Sequence, residues 1–179
     1  MNKKILGLAL LMIILAAASR LVKHPANFTP VAAMGIFSGY YLRKKWAIVV
    51  PLAAMFLSDI FIGFYDWRLL AVVYASMACS FIFGWLLQKN KRWRYVILCS
   101  VASSVLFFLT TNTAVWAFYS WYPHTLSGLI ACLAAGLPFL KNTLLGDIFY
   151  CLVMFGALEA ALRYSAEKDK PLELEPMKI

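Results

Sequence analysis

Apolar residues run along this chain in blocks separated by short polar or basic stretches. The first block covers Ile5 to Leu15 and trails through Ala16-Ala17-Ala18-Ser19 to Leu21 and Val22. The second runs from Val31 to Leu42, the third from Trp46 to Phe64, the fourth from Leu69 to Leu87, the fifth from Tyr95 to about Thr111, and the last from Leu144 to Leu162. Such blocks predict helices that cross a bilayer, at about 20 residues per span. A chain of 179 residues has room for six short spans and no separate soluble domain. Between the fifth and last blocks lies Thr125 to Leu137, ended by Pro138. It is too short for an ordinary span and predicts a re-entrant or interfacial helix. The expectation is an all-α integral membrane protein, a six-transmembrane-helix bundle with a short re-entrant or interfacial helix before the last span. Residues 1–163 form the membrane domain and residues 164–179 a charged cytoplasmic tail.

Local detail refines the blocks. Lys3 and Lys4 before the first block, and the small residues after it, have the form of a signal peptide. The apolar character continues past the small residues to Val22, so the block is read as a retained first span. Gly35 and Gly39, four apart in the second block, let another helix backbone approach closely. Pro51 falls in the first turns of the third block, where a missing N–H matters less. Ser127, Ala131 and Ala135 put small residues on one face of the short helix, which suits packing against protein. The aromatic stretch Trp116 to Tyr122 carries polar edges that belong at a membrane–water interface.

Composition strengthens this picture, and charge orients it. The chain is 63% hydrophobic and 14% charged, against about 45–50% and about 25% in soluble domains, and its mean hydropathy is +0.77. The net charge of +9 would suit nucleic acid if the basic residues formed one patch. They lie instead in clusters between the apolar blocks, as topology signals do. With the N-terminus cytoplasmic, only Arg20, Lys23, Arg68 and Lys141 of the 17 Lys and Arg fall outside, leaving thirteen inside. That positive-inside bias puts both termini in the cytoplasm. Cys79, Cys99, Cys132 and Cys151 stand singly, without C-x-x-C or Cys/His spacing, as small buried hydrophobes do.

Polar residues at membrane depth are costly and tend to mark a site or a buried pair. In this topology Arg20, Asn27, Thr29, Asp59, Asn112, Trp116, Asn142 and Asp147 share the outer half, with aromatic residues above them. They are the candidate substrate-binding residues of a pocket open to the outside. A structural reading stands beside each. Asp59 can pair with Arg20 or Lys23, Asp147 can cap the N-terminus of its own helix, and Asn112 can bridge two helices. Trp116, Tyr119, Trp121 and Tyr122 can be interface anchors. His24 and His124 are isolated loop histidines and make a weak metal signal, and Glu159 lies toward the inner face as an anchor or partner contact. No H-E-x-x-H, G-x-S-x-G, paired-carboxylate or Gly-rich phosphate motif occurs. Neither catalysis nor a resident cofactor or metal is expected. A structural or assembly membrane protein, its polar residues only pairing helices, is the competing reading.

Arg20, His24-Pro25-Ala26-Asn27-Phe28-Thr29-Pro30-Val31-Ala32-Ala33, Phe37-Ser38-Gly39, Pro51-Leu52, Ser58-Asp59, Thr111-Asn112 with Trp116, Tyr122 to Leu129, Pro138-Phe139, and Asn142-Thr143-Leu144-Leu145-Gly146-Asp147 carry a resemblance. Over residues 5–163 the chain resembles a bacterial family of uncharacterised transport proteins similar to the S components of energy-coupling factor vitamin transporters. The nearest of these are solitary cobalamin S components. The resemblance implies a six-helix bundle in the bacterial inner membrane that binds a vitamin-like, cobalamin-related solute on its outer face. It also implies as partners a membrane coupling protein and two ATPases. Where those relatives have an outer-loop cysteine that can ligate cobalt, this chain reads Phe64-Tyr65-Asp66-Trp67, and the A-x-x-x-A of their first helix is replaced by Ala9 followed by Ile13.

Overall fold

The computed structural model describes residues 3–23, 25–42, 45–90 and 92–168. His24, Arg43, Lys44, Lys91 and residues 169–179 of the tail lie outside the described residues. Six α-helices make up the described chain: α1 (Lys3–Ser19), α2 (Val31–Tyr41), α3 (Trp46–Ile62), α4 (Trp67–Leu87), α5 (Trp93–Phe118) and α6 (Leu126–Lys168). α4, α5 and α6 are long and apolar enough to cross a membrane, while Leu6–Ser19 and Trp46–Ile62 are shorter apolar helices.

The termini of these helices have local causes. α3 stops at Gly63, whose φ of 100° suits glycine and whose N–H closes on the Asp59 carbonyl. Asp66 starts α4, its carboxylate accepting from the Arg68 backbone N–H at 2.8 Å. Inside α3, Pro51 leaves the Ala47 carbonyl without its helical donor. The Ser38 hydroxyl from α2 takes that place, donating to Ala47 O at 2.6 Å.

The helices alternate in direction. Arg20, just past α1, reaches Met55, Ser58 and Asp59 near the end of α3, so α1 and α3 run the same way. Along α2, Gly35 lies against Met77 and Ser80, and Gly39 against Phe81, so α2 and α4 are parallel. Phe37 and Tyr41 pack on Phe155 at 5.3 and 5.6 Å between ring centroids, while Asp147 meets Ala32 and Ala33. α2 and α6 are therefore parallel as well. α5 opposes both neighbours, pairing Ser103 with Ser80 and Thr110 with Ser76 on α4, and Ser104 with Asp147 on α6.

α2 is the axis of the bundle. Every other helix touches it, and Val31 to Gly39 are all buried. Its 11 residues make a rod of about 16 Å at 1.5 Å per residue, about half a hydrocarbon core of ~30 Å. The closeness of α2 and α4 depends on glycine: a methyl at Gly39 would sit 2.2 Å from the Phe81 carbonyl oxygen, and one at Gly84 2.0 Å from that of Ile36. At the far end of α2 the Gln88 amide donates to the carbonyls of Gly39 and Tyr40 at 2.9 and 3.0 Å.

Two expectations need correction. The segment from Leu126 to Leu137 is not a separate short helix: α6 runs unbroken through Pro138 for 43 residues. The proline removes only its own donor to the Ala134 carbonyl, and the helix is held against α5 on the N-terminal side of the proline at Gly136 and on its C-terminal side at Asp147. α5 likewise does not dissolve after Thr111 but stays helical to Phe118.

Candidate functional site

The eight candidate residues fall into three groups. The first joins α1, α3 and α4. Arg20 Nη2 pairs with Asp59 Oδ1 at 2.6 Å, with side chains 11% and 4% exposed. Arg20 Nη1 donates to the Met55 carbonyl and to the Ser58 hydroxyl. The other Asp59 oxygen accepts from the Tyr74 hydroxyl at 2.7 Å. Asp59 is thus neutralised by Arg20 and fully engaged, while Arg20 Nε is buried without a partner. In the following turn Tyr65 feels this carboxylate: its phenol is pushed up to about 12, chiefly by partial burial and then by the Asp59 charge. Asp66 behaves oppositely, the hydrogen bonds and charge of Arg68 holding its carboxyl down to about 2.

The second group surrounds the start of α2. Asp147 is 1% exposed, accepts from the Ser104 hydroxyl at 2.7 Å, and faces the backbone N–H groups of Ala33 and Ala32. It does cap a helix N-terminus, but not its own. It lies in the middle of α6 and sits against the start of α2, whose N-cap Pro30 offers no side-chain cap. The segment 25–30 lies over this corner. Phe28 rests on Phe149 and Tyr150, each at 5.8 Å between centroids, and a methyl on Gly146 would come within 3.1 Å of the Phe28 Cα and 3.2 Å of the Thr29 nitrogen. Asn142 donates to the Ala26 carbonyl at 2.9 Å. Asn27 is exposed and turns the chain with a φ of 62°, a left-handed conformation that asparagine tolerates. Thr29 is half-buried beside it.

The third group closes the α5–α6 hairpin. Trp116 Nε1 donates to the Pro123 carbonyl at 2.9 Å, and its indole meets the His124 ring edge-on at 5.7 Å. Asn112 turns its amide onto its own helix, donating to Phe108 O at 2.8 Å, and its side-chain oxygen lies where a methyl on Gly136 would fall, 2.5 Å away. The Cys132 thiol donates to the Asn112 backbone carbonyl. Separately, an apolar cleft runs between α1 and α3, and none of the eight residues lines it.

Several participants are not among the eight candidates. Tyr74 and Ser58 complete the Arg20–Asp59 group, and Ser104 the Asp147 group. Ser76–Thr110 and Ser80–Ser103 form a hydroxyl ladder between α4 and α5, each pair at 2.7 Å. The signal was there in Ser76, Ser80 and Gly84, and in Ser100 and Ser104, each set spaced by four residues as at a membrane helix interface. Among the described residues, no group of three His, Cys, Asp or Glu is placed to hold a metal.

These features define an all-helical protein of membrane type, with polar groups bonded between its helices. The profile of a family of unknown function, DUF6580, matches residues 1–169, and the chain belongs to that family. No curated protein and no solved structure matches it.

Proposed function

We propose that the protein is a solute-binding component for uptake, crossing a bacterial inner membrane six times with both termini in the cytoplasm. It takes a vitamin-like small solute from the outer side and performs no covalent chemistry. The observation that carries this is the half-length α2, whose N-terminal N–H groups meet the buried Asp147 under the irregular segment 25–30. Irregular backbone at membrane depth is tolerated where it is buried in protein or lines a cavity. A buried carboxyl group at membrane depth is by default a candidate for a functional site. The alternating helix directions and the thirteen-to-four charge bias support the six-span topology.

In the arrangement described, segment 25–30 covers the corner, held to α6 by the Phe28 ring contacts and the exposed Asn142 bond. Displacing it admits solute between Asn27 and Thr29 on the segment and Asn142 and Asp147 beneath it, with Asn112 and Trp116 on the adjoining hairpin and Arg20–Asp59 fixing the start of the segment. The resemblance to energy-coupling factor S components extends the proposal to a coupling protein and ATPases as partners, and to a cobalamin-related solute as the first to test.

The test is thermal unfolding of the purified protein against a panel of vitamins and cofactors. A ligand at 100 times its Kd stabilises by about 2.7 kcal/mol, which raises Tm by roughly 5–11 °C at ~2–4 °C per kcal/mol for a chain of this size. Asn142→Ala should abolish that shift while the variant stays folded. A panel without a single shift, together with Asn142→Ala cells whose uptake matches the parent, rejects the reading. A second reading, a structural membrane protein, is favoured by one observation: the side chains of Arg20, Asp59, Asn112, Trp116, Asn142 and Asp147 all have internal partners. On that reading the same substitutions lower Tm and no ligand restores it.

A further inference from the structure

The hydrogen bonds around Asp147 serve two protonation states. Ser104 Oγ lies 2.7 Å from Asp147 Oδ2 and 3.0 Å from the Ser100 backbone carbonyl, one turn back on α5. A serine hydroxyl has one hydrogen to donate and lone pairs with which to accept. Given to Asp147, that hydrogen satisfies an ionised carboxylate. Given to the Ser100 carbonyl, it leaves the contact with Asp147 a hydrogen bond only when the carboxyl itself carries a proton and donates it to Ser104. A neutral carboxyl still keeps a carbonyl oxygen for the Ala32 and Ala33 amides that face it. Exchange between the two states therefore needs hydrogens to move and no side chain to be rebuilt.

Burial and charge choose between them. Through Ser104 and the neighbouring Ser103–Ser80 pair, the buried Asp147 stands level with Ser80. That is about 20 Å along α4 from Trp67 and about 10 Å from Leu87, at 1.5 Å per residue. Its surroundings hold no opposite charge: α2 and segment 25–30 carry no charged residue, nor do Ile5 to Ser19, Tyr95 to Phe118, or α6 from Asn142 to Leu158 apart from Asp147 itself. The titratable groups around it are the Cys151 thiol, one turn along α6 and itself beside Cys99, and the Tyr150 phenol, whose ring lies against Phe28. Asp59 differs in holding Arg20. A carboxyl buried without a countercharge takes a proton in place of a bare charge, and intramembrane carboxyls serve as proton carriers. Gly146, the residue before Asp147, packs directly beneath Phe28 and Thr29, so the segment decides whether water reaches the carboxyl. We propose that Asp147 is a reversible proton-binding site, which holds one proton while segment 25–30 lies over it and releases that proton when the segment lifts. Low pH then favours the covered arrangement and high pH the lifted one, by at most about tenfold per pH unit for one proton. This rests on the displacement of segment 25–30 proposed above, and not on which solute follows.

Infrared difference spectroscopy of the full chain in lipid nanodiscs tests the proton. The parent minus Asp147→Asn should show one protonated-carboxyl C=O band that shifts in deuterium oxide and is lost reversibly as pH rises. Ser104→Ala keeps the carboxyl but removes its acceptor, so it should move that band to higher frequency, and it serves where Asp147→Asn does not fold. Hydrogen exchange at residues 26–29, measured against the intrinsic rate at each pH, tests the coupling. Protection in the parent should fall by up to about tenfold per pH unit over the range in which the band is lost, and in Asp147→Asn it should stay level. The absence of a carboxyl band belonging to Asp147, or a band that persists to the highest pH at which the chain stays folded, overturns the proposal. So does a band that titrates while protection of the segment stays flat. Both readouts are taken without solute, so they stand or fall apart from the uptake reading.

Discussion

One methyl group at Gly84 should loosen the centre of the bundle. In Gly84→Ala the new Cβ would stand 2.0 Å from the Ile36 carbonyl oxygen, 2.8 Å from the Ile36 carbonyl carbon and 3.0 Å from the Gly39 Cα. The obstacles are backbone, so no side chain can swing away. α2 and α4 must part from 2.0 Å to the 3.4 Å of ordinary contact, a shift of about 1.4 Å. Overpacking of this kind costs about 1–3 kcal/mol. The upper end applies here because the same shift draws the Gln88 amide off the Gly39 and Tyr40 carbonyls, at about 1 kcal/mol per hydrogen bond lost. A cost of ~3 kcal/mol lowers Tm by about 6–12 °C for a chain of this length. The assay is thermal unfolding in detergent followed by tryptophan fluorescence. Gly7→Ala is the control: a methyl there meets nothing within 4 Å, and helix propensity gains up to about 1 kcal/mol. A Gly84→Ala protein melting within about 2 °C of the parent would refute the close crossing of α2 and α4.

Further outcomes follow from the polar groups. Arg20→Ala strands the buried Asp59 carboxylate and should cost about 3–5 kcal/mol, whereas Arg20→Met with Asp59→Leu recovers most of the loss in a double-mutant cycle read by Tm. Trp116→Phe removes the bond to the Pro123 carbonyl and should cost about 0.5–1.5 kcal/mol, with hydrogen exchange rising first in residues 119–125. Asp66 has its folded pKa lowered to about 2, below the ~3.9 of an unfolded Asp. The support it gives the start of α4 is therefore present above pH ~3.9 and lost as pH falls through about 2. Protection of the Arg68 amide, measured against its intrinsic exchange rate at each pH, should fall over that window, and in Asp66→Asn the window should vanish.

Apolar blocks located the helix cores well because lipid-compatible stretches can hide their backbone only as helices. Two misreadings share one cause, the inference of conformation from residues that report environment. The aromatic run from Trp116 marks an interface, yet α5 carries its hydrogen bonds into that zone as far as Phe118. Pro138 reads as a stop in water, where freed groups are solvated, but packing against α5 keeps α6 continuous across it. At the site, the pairing of Arg20 with Asp59 was legible because two opposite charges shared one level. The partner of Asp147 was not, since backbone amides of a helix more than a hundred residues earlier leave no mark in composition. Tyr74 and the serine ladder were hidden as ordinary members of apolar blocks.

The two ends of α2 bear on how this protein is made. Its first amides face Asp147 and its last carbonyls accept from Gln88, side chains that emerge from the ribosome long after α2 itself. On the proposed membrane topology, eleven residues are too few for a lipid-exposed span of their own, so α2 gains its place only once α4 and then α6 are there to pack on it. Biogenesis is thereby ordered from the outside in: the innermost helix is among the first synthesised and the last to be fixed.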